Sequence, residues 1–227
     1  MSRTGWQPAI WGLASVWGVA EAGLGGVMHG LKLPFTGLTV GGVAVAVLIV
    51  LAAYERGLYG NSGKGSTRLL LEVTATILLI KALASPHSPV TAYVAVAFQG
   101  AAAALLFHVI PSFRGAAVLF AFLAMVESAT QKLLMMVLVY GHAFLDALDA
   151  LTGYASGQIA ATGLQLPLSS STLLGLFLAL YAAWGVLLGA TVGRWPQRAQ
   201  ALGPGLVAEW RAAAVEEVAP EGGRRRR

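Results

Sequence analysis

The chain has 227 residues, 57% of them hydrophobic and only 11% charged, with a mean hydropathy of +0.72 and a formal net charge of +5. A soluble domain carries about 25% charged residues, so this composition belongs to an integral membrane protein with one membrane domain. The absence of cysteine excludes disulfides, thiol catalysis and cysteine metal sites, and the absence of a soluble basic face excludes nucleic acid as a partner.

A helix that crosses a bilayer needs about 20 mainly apolar residues. Six stretches meet or approach that requirement: 10–28, 38–54, 69–84, 91–110, 116–140 and 171–192. The expected fold is therefore all-α, a polytopic bundle of six transmembrane helices. Pro34, Pro86, Pro89 and Pro111 fall between these stretches, where proline ends one helix or opens the next. Arg3 is followed by a long apolar segment with no small-residue cleavage site, so the first span is expected to stay in the protein.

Charge fixes the expected orientation. With the N-terminus in the cytoplasm, the inner segments hold Arg3, Arg56, Lys64, Arg68, Arg114, Arg194, Arg198, Arg211 and Arg224 to Arg227, twelve of the 15 basic residues. The outer side and outer membrane half hold Lys32, Lys81 and Lys132. The connection between spans five and six carries Asp146 and Asp149 and no basic residue. This positive-inside pattern predicts six spans with both termini cytoplasmic.

The connections add little chemistry. In 142–167, Phe144, Leu145, Leu148 and Leu151 stand at helical spacing opposite Asp146 and Asp149, which predicts a short helix at the outer surface, either an ordinary loop helix or a lid. In the inner loop 55–68, Gly63-Lys64 invites a phosphate-loop reading. The motif fails, because Leu58 stands where its first glycine is required and Gly65 follows the lysine. Residues 1–193 form the expected six-helix domain, and 194–227 a basic cytoplasmic tail. Within that tail 202–218 has Leu206, Val207 and Trp210 at amphipathic spacing, and Arg224 to Arg227 suit anionic lipid headgroups.

Ionisable groups inside a membrane cost at least about 2.5 kcal/mol each near its centre, so they face the bundle interior and need partners. Glu72 and His108 lie close enough to the inner helix ends to reach the headgroups. Glu21, Lys81, Gln99, Glu127, Gln131 and Lys132 lie in the middle or outer half, and His29 at the outer end of span one. Glu127 and Gln131, four apart, share a helix face, whereas Lys132 points partly aside and can snorkel outward. Two readings stay open: a polar pocket for a small polar or zwitterionic molecule, or internal ion pairs that fix packing. The four histidines, at 29, 87, 108 and 142, do not assemble a metal shell, and no serine–histidine arrangement suggests hydrolysis. No cofactor, metal or catalytic residue is expected.

Span one also carries a stripe of small residues. Ala14, Gly18, Ala22 and Gly26 recur every four positions, a pattern that lets another helix approach closely. The neighbour is either another helix of the same bundle or a separate protein.

These residues together resemble a known family. Trp17-Gly18, Glu21, Gly25 and His29, then Leu33-Pro34-Phe35-Thr36-Gly37, are similar to the opening of substrate-binding S-components of energy-coupling factor transporters. The likeness continues through Gly65-Ser66, Lys81, Pro89-Val90-Thr91-Ala92 and Gln99-Gly100, and covers about the first 110 residues. Gln99 stands where the family pattern has an acidic residue. The resemblance implies a six-helix protein of a prokaryotic inner membrane that captures a vitamin-like micronutrient from outside. It further implies a membrane coupling protein driven by cytoplasmic ATPases, docked on Ala14-Gly18-Ala22 of the stripe that ends at Gly26. With the polar groups read above, the expected pocket is lined by Glu21, His29, Lys81, Gln99, Glu127, Gln131 and Lys132. The chain itself would catalyse nothing. Two other classes remain: an accessory subunit of a larger membrane complex, and a small proton-coupled carrier.

Overall fold

A computed structural model describes residues 7–30, 36–59, 67–160 and 168–195. The described residues are helical and contain no strand. In lipid every backbone polar group has to be satisfied within the protein, and a helix does this locally. The elements are α1 (Gln7–Val19), a π-helical turn (Ala20–Leu24), α2 (Gly25–Gly30), α3 (Thr36–Tyr59), α4 (Arg68–Ala84), α5 (Val90–Val109), α6 (Phe113–Tyr140), α7 (His142–Ala160) and α8 (Ser170–Val192). The helix starts carry the expected chemistry. Ser112 Oγ accepts from the Gly115 N–H and Ser169 Oγ from the Thr172 N–H, both at 3.2 Å, satisfying amides that the first turn leaves open. Gly141 closes α6 with a φ of 55°, a left-handed conformation that favours glycine.

Four helical stretches are long and apolar enough to cross a membrane: Gly37–Arg56, Val90–Val109, Phe113–Tyr140 and Ser170–Val192. Of the other two expected spans, α4 is 17 residues long, and the apolar part of the first helical run, Ile10–Leu24, is shorter still. Large apolar side chains such as Val19, Leu79, Leu105, Leu138 and Leu187 are exposed, and Leu83 is 76% exposed. Exposed apolar surface on this scale suits contact with lipid rather than water, and the arrangement points to a multi-pass membrane protein.

α3 is the central helix of the unit formed by residues 1–193. It packs against α1, α4, α5, α6 and α8, and Ala44, Val45, Leu48, Ile49 and Leu51 are wholly enclosed. The helix extends beyond the expected 38–54 to Tyr59, so Glu55 and Arg56 belong to a helix rather than to a loop. Glu55 Oε1 accepts from the Leu69 N–H at the start of α4, at 3.2 Å. Arg56 reaches the other way: its guanidinium donates to the carbonyls of Phe107 and Ile110, each at 2.7 Å, and of Pro111 at 3.0 Å. It also stacks over the Phe107 and Phe113 rings. One acidic and one basic residue thus cap the start of α4 and the end of α5, each at the helix end whose dipole it complements.

Helices α6 and α8 approach backbone to backbone. A Cβ on Gly185 would lie 2.6 Å from the Ala121 carbonyl oxygen, and one on Gly189 would lie 2.5 Å from Val118 Cα. Lipid tails are as apolar as leucine, so membrane helices associate through van der Waals packing, and small residues allow it at short range. Between α6 and α8 in the chain lies α7, whose more enclosed stripe is Phe144, Leu148, Thr152, Ala155 and Ser156, while Leu145 and Leu151 are exposed. Asp149 accepts a hydrogen bond from Ser170 at the start of α8, which ties the acidic face of α7 to the next helix. Residues 194–227 form a second unit, of which Arg194 and Trp195 alone are described. The expected helix over 202–218 and the arginine run lie outside the described residues, as do 31–35, 60–66 and 161–167.

Candidate functional site

The structure divides the expected site residues into two groups. The first centres on the π turn. There the Gly25 N–H bonds the Ala20 carbonyl, and the extra residue in the turn rotates the helix register. Glu21 is placed facing α4, where Lys81 Nζ donates to Glu21 Oε2 at 2.5 Å. Glu21 is 7% exposed and Lys81 3%. Ser85, just past the end of α4, donates to the Ala22 carbonyl at 3.1 Å, and Tyr93 of α5 donates to the Ser85 carbonyl at 3.1 Å. A π turn disturbs the regular helical ladder, and Ser85 engages a carbonyl within the disturbed stretch. The two charges expected to line a pocket therefore satisfy each other. Next to them, Gly18 packs on Ile77 Cδ1, at 3.3 Å from where a Cβ would stand, and Ala14 is buried. This part of the small-residue stripe is used between α1 and α4 of the same chain. Ala22 is half-buried; the side chains at Gly26 and His29 lie outside what is described.

The second group lies in the bundle interior. Gln99 of α5 is 2% exposed, and its Oε1 has no hydrogen-bond partner among the described residues. Its amide nitrogen sits 3.5 Å from where a Cβ on Gly41 of α3 would stand, and Met125 Cε of α6 sits 3.1 Å from the same point. Helices α5 and α6 are joined by a three-residue turn and run antiparallel, with the Phe107 and Phe120 rings 6.0 Å apart. Gln99 is eight residues back from Phe107 and Glu127 seven on from Phe120. At about 1.5 Å per residue, this register brings Gln99 and Glu127 to one level. Two turns from Phe120, Glu127 also stands on nearly the same side of α6. Glu127 Oε2 is buried and, like Gln99 Oε1, has no partner among the described residues.

Further groups join this level. Ser128 Oγ and the Tyr181 hydroxyl both press against Gly37 at the start of α3, and Gln131 is half-buried one turn above Glu127. Lys132 is half-buried too, five residues on from Glu127, which puts it about 140° around the helix. Among the described residues there is no cluster of three or more potential metal-ligating side chains. No family model, no curated protein and no solved structure matches this chain.

Several of these residues are absent from the sequence reading. Gly185 and Gly189 of the last span, with Gly193 just past its end, repeat every four positions, the same signal that singles out span one, and they lie against α6. Gly41, Ser128 and Tyr181 carry no signal of their own, because their role arises from where other helices meet α3, and Gly37, the last residue of the Leu33-to-Gly37 stretch, carries none for its contact with Ser128 and Tyr181. Glu72, expected at the headgroups, pairs with Arg68 at 2.6 Å, with both side chains largely exposed.

Proposed function

We propose that this protein is the substrate-capture subunit of an ATP-driven uptake system, and that it takes a small polar molecule into the level of Gln99 and Glu127. The observation that carries this reading is the pair of buried oxygens, Gln99 Oε1 and Glu127 Oε2, that meet no donor among the described residues. An unpaired buried acceptor costs about 1–3 kcal/mol, a penalty a ligand with suitable donors removes. In this reading the residues 7–30 and α4 are the fifth and sixth crossings beside the four long helices. Both termini then lie in the cytoplasm, as the charge distribution favours, and the membrane is a prokaryotic inner membrane. Glu21 and Lys81 brace the site rather than contact the ligand. A coupling protein with cytoplasmic ATPases would meet the exposed face of α1, where Trp11, Val16 and Val19 project.

Purification from native membranes in mild detergent tests the proposal. The expected result is a stoichiometric small molecule together with a membrane partner and its ATPases. Stable association with respiratory or photosynthetic subunits and no small molecule would favour an accessory role. Uptake that persists after deletion of the ATPase partner would favour a carrier.

A further inference from the structure

We infer that the level of Gln99 and Glu127 receives a cationic N–H group, a primary ammonium or a guanidinium, from its ligand. The inference rests on the capture reading and specifies the chemistry of the molecule captured. Gln99 Oε1, a carbonyl oxygen, and Glu127 Oε2, a carboxyl oxygen, both accept, and the third unpartnered group at this level, the Tyr181 hydroxyl, can accept as well as donate. A ligand that offers only acceptors would leave both unsatisfied. A quaternary cation without N–H would neutralise charge but make neither bond. An ammonium carries three donors and a guanidinium five, and such bonds to a carboxylate are among the stronger ones in proteins.

The charges around the level point the same way. Lys81 is engaged by Glu21 at 2.5 Å, and Arg56 by three carbonyls at the far end of α3. Arg68 is paired with Glu72. Lys132 is on the same helix as Glu127 but about 140° around it, and no ion pair joins them among the described residues. Glu127 is thus left without a cation in the described bundle, where an isolated carboxylate is costly. Room for a ligand group comes from α3 and α6. Gly37 and Gly41 carry no side chain on this face of α3; Ser128 and Tyr181 fill the space beside Gly37, and the Gln99 amide and the end of Met125 fill that beside Gly41, so a ligand group enters by displacing the methionine, an unbranched thioether that repacks readily.

The test uses the full chain in lipid nanodiscs, with thermal unfolding followed by the fluorescence of its six tryptophans. Agmatine and ethanolamine at neutral pH supply guanidinium and ammonium groups; tetramethylammonium supplies charge without N–H, and acetate supplies an anion, all at matched ionic strength. Agmatine or ethanolamine is expected to raise the Tm, and tetramethylammonium and acetate are not. Glu127→Gln and Gln99→Leu are each expected to weaken the apparent affinity tenfold or more. Gln99→Leu also removes a buried acceptor that lacks a donor, so it is expected to unfold at or above the wild-type Tm, which separates lost binding from lost folding. Equal shifts with agmatine and tetramethylammonium, shifts unchanged in both variants, or no shift with either amine would overturn the inference. A neutral or anionic molecule that co-purifies and is displaced by neither amine would overturn it while leaving the capture reading intact.

Discussion

Glu21 and Lys81 carry opposite charges into the same enclosed contact between the π turn and α4. Removing one partner leaves the other charge buried and uncompensated, which costs about 3–5 kcal/mol. Glu21→Ala is therefore expected to destabilise the protein by that order, whereas Glu21→Leu combined with Lys81→Met should return close to wild type. Unfolding in nanodiscs measures both, and a double variant as weak as the single one would show that the pair has further partners. Arg56 poses a different case, because its value lies in shape as well as charge. Three carbonyls and two rings meet one planar guanidinium, and a lysine cannot reproduce that fork. Arg56→Ala is expected to cost about 2–4 kcal/mol, the order of one or two hydrogen bonds to a charged group, each of which contributes about 1.5–3 kcal/mol net of solvent. Arg56→Lys should recover less than half of the loss, and recovery to wild type would mean that charge alone matters.

At the scale of elements, the α6–α8 contact sets backbone against backbone and tolerates little added volume. Backbone atoms of Val118 and Ala117 lie where a side chain on Gly189 would begin, and backbone yields far less readily than a flexible side chain. Gly189→Leu is expected to destabilise by about 3 kcal/mol or more, at or beyond the upper end of ordinary overpacking, and to free α7 along with α8, because Asp149 joins them through Ser170. Hydrogen exchange over α7 and α8 would register the loss; unchanged protection would contradict the contact. The π turn has a distinct role. It lets one helical run aim Gly18 at Ile77 and Glu21 at Lys81, and Ser85 donates to a carbonyl of that turn.

Over the whole molecule, the all-helical character and the apolar stretches were legible in composition and span length, because lipid permits few other ways to satisfy a backbone. The burial of Gln99 and the partly buried place of Glu127 within a long apolar helix were legible too, since polar residues stand out in an apolar stretch. The pairing of Glu21 with Lys81 was not, because 60 residues separate them and the sequence carries no record of which helices touch. The centrality of α3 was equally hidden: its sequence is only slightly different from that of its neighbours, and its burial follows from five helices closing around it. The orientation can be mapped directly, because the chain has no native cysteine. Single cysteines replacing Arg114 and His142, probed in intact cells with a membrane-impermeant thiol reagent, should label at 142 and not at 114. The reverse pattern would invert the topology. Whether the Gln99–Glu127 level holds a small molecule is decided by native mass spectrometry of the protein released gently from its own membranes. Wild type should carry one added small-molecule mass that Gln99→Leu lacks while keeping its fold. The same mass on both proteins, or on neither, would contradict capture at that level.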